Sequence, residues 1–281
     1  MRYQFSLSTT AFILLTFFYL SGCTKKISLP PSQGSDIPCK ISFIYLVHGE
    51  FGGGDTLTFT YNSAGNPIFV KEGTISSANG NVQLIYDSHN MLTQYKRLYS
   101  EFNAEDWTIY EFAKGSDQPA SDITYEFPSP DTGSIPPAFY SVVDSTIYRY
   151  DGQKRVSQTV TEHADMQGDL FPTTTYDYPY DIHGNLADPI SDDTSAATYD
   201  DKVNFRRLSP VFQFIDRNYS QNNSTTEIQI DSYNEYGLPT HLKDVAPQGG
   251  ALQFLGYDLG ECYIQYDCSC GIKTTVAVKG L

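Results

Sequence analysis

The segment closest to a reactive loop is His48-Gly49-Glu50-Phe51-Gly52-Gly53-Gly54-Asp55. A glycine-rich turn after a histidine can aim backbone N–H groups at an oxyanion, as esterases do. Such a hole acts only beside a nucleophile, and no G-x-S-x-G elbow occurs in the 281 residues, so a hairpin loop is expected here. The five histidines, His48, His89, His163, His183 and His241, lack the H-E-x-x-H spacing that sets two imidazoles on one helical face. Asp192-Asp193 and Asp200-Asp201 lack the D-x-[DN]-x-[DN]-G order of a calcium loop. No catalytic residue, metal or other cofactor is therefore assigned from spacing. A pair of glycosidase carboxylates could still be assembled in space from the 33 acidic residues, because that pairing leaves no linear trace.

One cysteine has a clearer context. Met1-Arg2-Tyr3 carries a positive charge, and Ala11 to Leu20 form an apolar run of ten residues. That is half of the roughly 20 needed to span a bilayer as a helix, and it has the length of a secretory h-region. The run ends in Leu20-Ser21-Gly22-Cys23, which resembles the lipobox of bacterial lipoproteins. The resemblance implies that residues 1–22 are a cleaved signal peptide and that the Cys23 thiol takes a diacylglycerol. Only a thiol can form that thioether, and small Ser21 and Gly22 let the chain enter a peptidase. Two or three acyl chains anchor a protein stably where one does not. Residues 23–38 read as a Pro/Gly/Ser-rich tether, with Lys25 and Lys26 placed to meet anionic headgroups. Thr24 stands where an inner-membrane retention signal would have Asp, so the expected location is the cell envelope, as an outer-membrane lipoprotein facing the periplasm or the cell surface.

Export bears on the remaining cysteines. Cys39, Cys262, Cys268 and Cys270 are an even set with three possible pairings. Cys39 opens the folded body and the other three lie near its end, so a bridge between these regions would clasp the termini. Closing so long a loop contributes about 4 kcal/mol on the chain-entropy account. Along one straight strand Cys262 and Cys268 would be about 20 Å apart, too far to bond. Cys39 with Cys268 or Cys270 is the expected bridge. A zinc site using Cys268-Ser269-Cys270 is the alternative, disfavoured by the absence of C-x-x-C pairs.

The elements that must position these residues are strands. Net charge is −15, with 33 acids against 18 Lys and Arg, which repels a phosphate backbone and argues against nucleic acid as a partner. Thr56-Leu57-Thr58-Phe59-Thr60-Tyr61 and Glu227-Ile228-Gln229-Ile230 alternate with period two, the mark of antiparallel strands with one face buried. Ile41 to Val47 is apolar at both parities and reads as a strand covered on both sides.

Five segments repeat one pattern of Tyr, Asp or Asn, two variable residues, then usually Gly or Asn. They begin at Tyr61 (Gly65 in the fifth place), Tyr86 (Asn90), Tyr150, Tyr180 (Gly184) and Tyr233 (Gly237). The tyrosine ends a strand, the Asx side chain accepts turn N–H groups, and the Gly or Asn takes positive φ. The third copy departs from the pattern, with Lys154 in the left-handed slot and Gly152 moved forward, and a different turn type is expected there. The pattern is similar to the Tyr-Asp repeats of Rhs-type proteins. With the lipobox, the chain resembles uncharacterised Bacteroidetes envelope lipoproteins that carry degenerate copies of those repeats. The resemblance covers most of residues 40–280 and implies hairpins wrapped into a curved sheet or shell, with no chemistry attached.

Leu208 to Tyr219 breaks the strand rhythm. Ser209 can cap a helix with Pro210 at its first position, and Val211, Phe214, Ile215 and Tyr219 share a stripe with Phe212 beside it. This predicts a helix of about two to three turns over 209–219, pressed onto the sheet. Residues 128–137 and 188–204 read as long loops. The expected protein is all-β: residues 39–281 form a single antiparallel meander, a curved sheet or partly closed barrel or shell. The expected function is non-catalytic binding or scaffolding by a Tyr-rich surface, membrane-tethered and directed at a glycan, a peptide or another envelope protein. The alternative is a polysaccharide- or peptide-directed hydrolase, which would need a cleft holding two carboxylates, one with a raised pKa.

Overall fold

A computed structural model describes residues 37–47, 54–73, 80–99, 104–127, 140, 142–165, 169, 171–187, 197–226, 228–246 and 250–268. Residues 1–36, with the signal peptide, Cys23 and most of the tether, lie outside the described residues, as do His48–Gly53, the 128–137 loop, 188–196 and Cys270. The strands are β1 (Cys39–Leu46), β2 (Asp55–Tyr61), β3 (Pro67–Glu72), β4 (Asn81–Tyr86), β5 (Leu92–Leu98), β6 (Ala104–Phe112), β7 (Pro119–Glu126), β8 (Val142–Tyr150), β9 (Val156–Asp165), β10 (Thr174–Asp177), β11 (Ile228–Tyr233), β12 (Pro239–Asp244), β13 (Gln253–Phe254), β14 (Tyr257–Asp258) and β15 (Glu261–Cys268).

Thirteen of these strands make one antiparallel sheet in the order β10-β9-β8-β7-β6-β5-β4-β3-β2-β1-β15-β12-β11. Nine hairpin steps run outward from β1, and the chain's last described strand returns to pair with its first. Among the described residues the sheet is open, with β10 and β11 as its edges. Both ends of the described body therefore meet at β1 and β15, where Cys39 faces Cys268 in register and the two are bonded. Cys262 is a buried free thiol, so its candidacy for a bridge is not met. The engaged sulfur of Cys268 also removes the zinc reading of Cys268-Ser269-Cys270.

β1 corrects one expectation. Its register slips between Ile41 and Phe43, and a bulge of this kind reverses which parity faces inward. Cys39 and Ile41 are buried on one side of the slip, Ile44 and Leu46 on the other, while Phe43 and Tyr45 are only half-buried. The apolar residues at both parities thus serve one covered face and a change of phase.

The five repeat turns are built alike. In four of them the Asx side chain accepts two backbone N–H groups, two and four residues on, for Asp87, Asp151, Asp181 and Asn234. For Asn62 the described bond is the one from Asn66. The residue three places after the Asx donates back to its carbonyl with positive φ: Gly65 (88°), Asn90 (62°), Lys154 (63°), Gly184 (81°) and Gly237 (73°). The third copy is therefore the same turn as the others. The Asp151 side chain enforces it, and Lys154 takes the left-handed conformation despite its Cβ.

The helix is shorter than predicted. α1 spans Pro210–Ile215 after a 3₁₀ turn at Phe205–Leu208, with the Ser209 hydroxyl accepting from Val211 N. Arg217, at φ 50°, turns the chain away and ends the helix four residues early. In so short a helix the long stripe has no room to form. Phe212 and Phe214 are buried, while Val211, Ile215 and Tyr219 are half-buried. Phe212 meets Phe59 of β2 and Phe254 of β13, and Phe214 meets Tyr110 of β6 and Tyr148 of β8. The β13–β14 hairpin, reversed at Leu255-Gly256 (φ 52° and 81°, as a type I′ turn requires), lies over the same inner face and buries Leu252, Phe254, Leu255 and Tyr257. Among the described residues no helix is long and apolar enough to cross a membrane.

Candidate functional site

The repeat tyrosines come first, because the sequence made them the binding surface. They are half-buried, and their hydroxyls are occupied. Tyr61 donates to Ile41 O (2.9 Å), Tyr86 to Pro67 O (2.7 Å) and Tyr150 to Pro119 O (2.6 Å), each tying a hairpin to the one before it. Tyr233 donates to Asp200 (2.7 Å), and Tyr180 accepts from Tyr219 N (3.4 Å) with the Arg155 guanidinium 3.9 Å above its ring. A phenol half-buried in a sheet needs such a partner, so these hydroxyls serve the sheet itself. His89 and His183 are exposed at turn tips, as their positions implied.

A cleft of about 630 Å³ opens on the inner face, over β6 to β9. Cross-strand register explains its lining, because partners in an antiparallel ladder share a face. One row runs Tyr95, Thr108, Thr124, Asp144, His163 across β5 to β9. The next runs Tyr110, Asp122, Thr146, Thr161 across β6 to β9. The opposite wall comes from Phe214, Ile215, Asp216 and Arg217 after α1 and from Gly250, Ala251, Gln253 and Gly256 of the hairpin. Arg206 fixes that wall: it donates to Asp216 (2.6 Å) and to the Gln253 carbonyl, while Asp216 also accepts from Leu255 N (2.8 Å). Burial leaves the Asp216 carboxyl above its ordinary value even with Arg206 pulling it down.

Within the lining, hydroxyls pair across strands, Thr108 with Thr124 (2.8 Å) and Thr146 with Thr161 (3.1 Å). Asp144 meets His163 Nδ1 at 2.6 Å. Asp122 is 2% exposed; its Oδ2 accepts from the Tyr148 hydroxyl, and its Oδ1, equally buried, has no hydrogen-bond partner. Burial pushes this carboxyl up to about 6, with Tyr148, Arg217 and the neighbouring Thr124 hydroxyl acting downward and Asp144 upward. Arg217 is buried beside it with Nε unpartnered. Tyr176, half in solvent, stands at the β10 side of the cleft. Among the described residues no group of three or more His, Cys, Asp or Glu side chains is arranged to hold a metal ion.

Of these lining residues the sequence singles out Phe214 and Ile215, for a helical stripe, and names His163 only as a histidine without ligand spacing. A signal was present: Asp122, Thr124 and Glu126, then Asp144 and Thr146, then Thr159, Thr161 and His163 keep one parity of their strands polar while Ile123, Ile147 and Val160 stand at the other. Fold and site together define an open antiparallel meander with a polar, ligand-sized cleft on its inner face. No protein-family model matches the chain, and no curated protein matches it.

Proposed function

We propose that this protein is a lipid-anchored envelope protein that binds a glycan in the inner-face cleft. The observation that carries the reading is the lining itself. Four threonine hydroxyls, three carboxylates and His163 line one pocket with the rings of Tyr110, Tyr148 and Tyr176 around it. Hydroxyl-rich ligands need many short polar contacts and a ring to stack on, and ligand pockets of this size combine a few fixed polar groups with apolar walls. The anchor part of the proposal rests on Leu20-Ser21-Gly22-Cys23. The resemblance to Bacteroidetes envelope lipoproteins with Tyr-Asp repeats agrees with the shared turn geometry.

Two experiments test it. The full-length chain in detergent is screened on a glycan array, and Tyr176→Ala is expected to weaken any hit about tenfold by removing the exposed ring. An array without hits from a folded protein defeats the binding reading. Cys23→Ser is expected to abolish labelling by palmitate and release the protein from sedimenting membranes; a variant still labelled and sedimenting defeats the anchor.

A second reading, hydrolysis of such a glycan, has one observation in its favour. Asp122 and Asp144 sit one diagonal step apart on β7 and β8, since Asp122 pairs with Thr146 and Thr124 with Asp144. The backbones of diagonal neighbours are about 7–8 Å apart, close enough for their carboxylates to flank one glycosidic bond. Asp122, protonated on its free Oδ1 below about pH 6, would give its proton to the leaving oxygen while Asp144 takes one from water. Release of reducing ends from a bound oligosaccharide, lost in Asp122→Asn, separates this reading from binding alone.

A further inference from the structure

We propose that the sugar held in the cleft carries a free amine, received as an ammonium between Oδ1 of Asp122 and the carboxylate of Asp144. The inference rests on the glycan-binding reading and narrows its substrate class to amino sugars.

The charge distribution around the cleft motivates it. Asp106 faces Glu126 directly across β6 and β7, one row beyond Thr108 and Thr124, so Asp106, Glu126, Asp144 and Asp122 follow one another along the same face. The basic side chains nearby are engaged: Arg206 by Asp216 (2.6 Å), Arg97 by Glu105 (3.4 Å), and the His163 ring by Asp144. Arg217 lies beside Asp122, and Arg97, shared with Glu105, faces Asp106 across β5 and β6, so acids outnumber guanidinium groups along this stretch. Mutual repulsion is felt: burial foremost, then neighbouring acids, hold Asp106 near 6 and raise Glu126. A sugar hydroxyl would satisfy the Asp122 Oδ1 hydrogen bond but leave this excess untouched. An ammonium does both, and a charge-assisted bond to a buried carboxylate is about twice as strong as a neutral one. The independent pointer to a ligand is Asp122 itself, 2% exposed, in the cleft wall, with one oxygen bare. Such a group costs free energy in the empty protein that a donor from a ligand recovers. The threonine pairs beside it argue for a sugar and against a bare alkylamine, since a polyamine has no hydroxyls to engage them.

The test titrates the full-length chain in detergent at pH 7 with three probes of equal length: glucosamine oligosaccharides, their N-acetylated counterparts, and glucose oligosaccharides. The free-amine series is expected to bind at least about tenfold tighter than either other series, the scale of one charged hydrogen bond. Asp122→Asn keeps an acceptor for Tyr148 and is expected to reduce that preference to under about threefold; if it does not fold, Asp144→Asn makes the same measurement. Equal or tighter binding of the acetylated or neutral series overturns the amine while leaving the cleft a glycan site. Preference for spermidine or a lysine-rich peptide over glucosamine overturns the sugar. Binding of none of the three series overturns the glycan reading itself.

Discussion

One sheet carries two different inner faces. Over β1 to β5, β12 and β15 it presents Ile41, Ile44, Leu57, Phe59, Val70, Val82, Leu84, Leu242 and Ile264, all sealed beneath α1 and the β13–β14 hairpin. Over β6 to β9 the same inward positions hold threonines, aspartates and a histidine beside Tyr110 and Tyr148, and the covering elements leave a cleft there. Backbone pairing and hairpin turns are alike in both halves, so the side chains at inward parity decide where the plug can dock. Apolar faces recruit Phe212 and Phe254, whereas a face of hydroxyls and carboxylates satisfies itself sideways. A dry core and a ligand site are two outcomes of one construction.

The comparison breaks first if both halves matter equally to stability. Phe212→Ala empties the centre of the plug and is expected to cost about 3–5 kcal/mol, read as a fall in urea midpoint at constant m. Thr146→Val in the cleft removes one hydroxyl pair and is expected to cost about 1 kcal/mol or less, because its neighbours can turn to water. Similar losses from the two would mean that the cleft is as much a core as the plug. Next in size is the clasp at the apolar end: replacing Cys39 and Cys268 together by alanine is expected to cost about 2–5 kcal/mol, a loss that reductant reproduces in the native chain. If reductant left the thermal midpoint unmoved, the ends would be held by strand pairing alone.

How much of this could be read in the sequence follows from how local each feature is. The five turns were legible because an Asx side chain, its two acceptor bonds and a left-handed residue lie within five positions. Even so, Lys154 misled, since the Asp151 network outweighs its propensity. The bridge was legible to within two candidates because the cysteines sit at opposite ends. The end of α1 was not, because Arg217 rather than a glycine turns the chain, and the apolar stripe runs on past it. The cleft was invisible for a different reason. It needs the register of five strands at once, and each pairing is a non-local fact that no single strand encodes.

Protons offer a finer probe of the polar half. The Asp122 carboxyl moves from an ordinary value of 3.8 to about 6 on folding. Below pH 4 both states hold the proton and the residue is neutral to stability. Between about 4 and 6 the unfolded chain releases its proton while the folded one keeps it, so stability falls as pH rises, by at most roughly 2–3 kcal/mol. Asp106, also raised to about 6 by burial and by Glu105, adds a slope of the same sign. Carboxylates such as Asp151, lowered overall by Arg155 and backbone N–H groups although burial opposes them, contribute the opposite slope, so the informative quantity is a difference. Native minus Asp122→Asn stability should decline from pH 4 to pH 7. A flat difference would mean that the carboxyl is solvated and that the cleft floor is open to water.

The smallest expected effects test whether the turns, unlike the faces, are interchangeable between halves. Gly65 joins β2 to β3 in the apolar half and Lys154 joins β8 to β9 in the polar half, with the same backbone bonds and positive φ. A side chain in that conformation costs about 1 kcal/mol, part of which glycine returns through its freer unfolded state. Lys154→Gly should therefore raise stability by about 0.5 kcal/mol. That gain is net of the exposed Lys154–Asp117 ion pair, which contributes little. Gly65→Lys should lower it by a comparable amount, since the nearest atom to its added Cβ is the flexible Lys40 Nζ at 3.3 Å. Near-equal and opposite shifts in urea midpoint would show that the repeat supplies an indifferent scaffold, leaving the division between core and cleft to the inward side chains. If Lys154→Gly were instead destabilising by 1 kcal/mol or more, that turn would be tied to the cleft beyond its backbone, and the two halves would differ in their frames as well as in their faces.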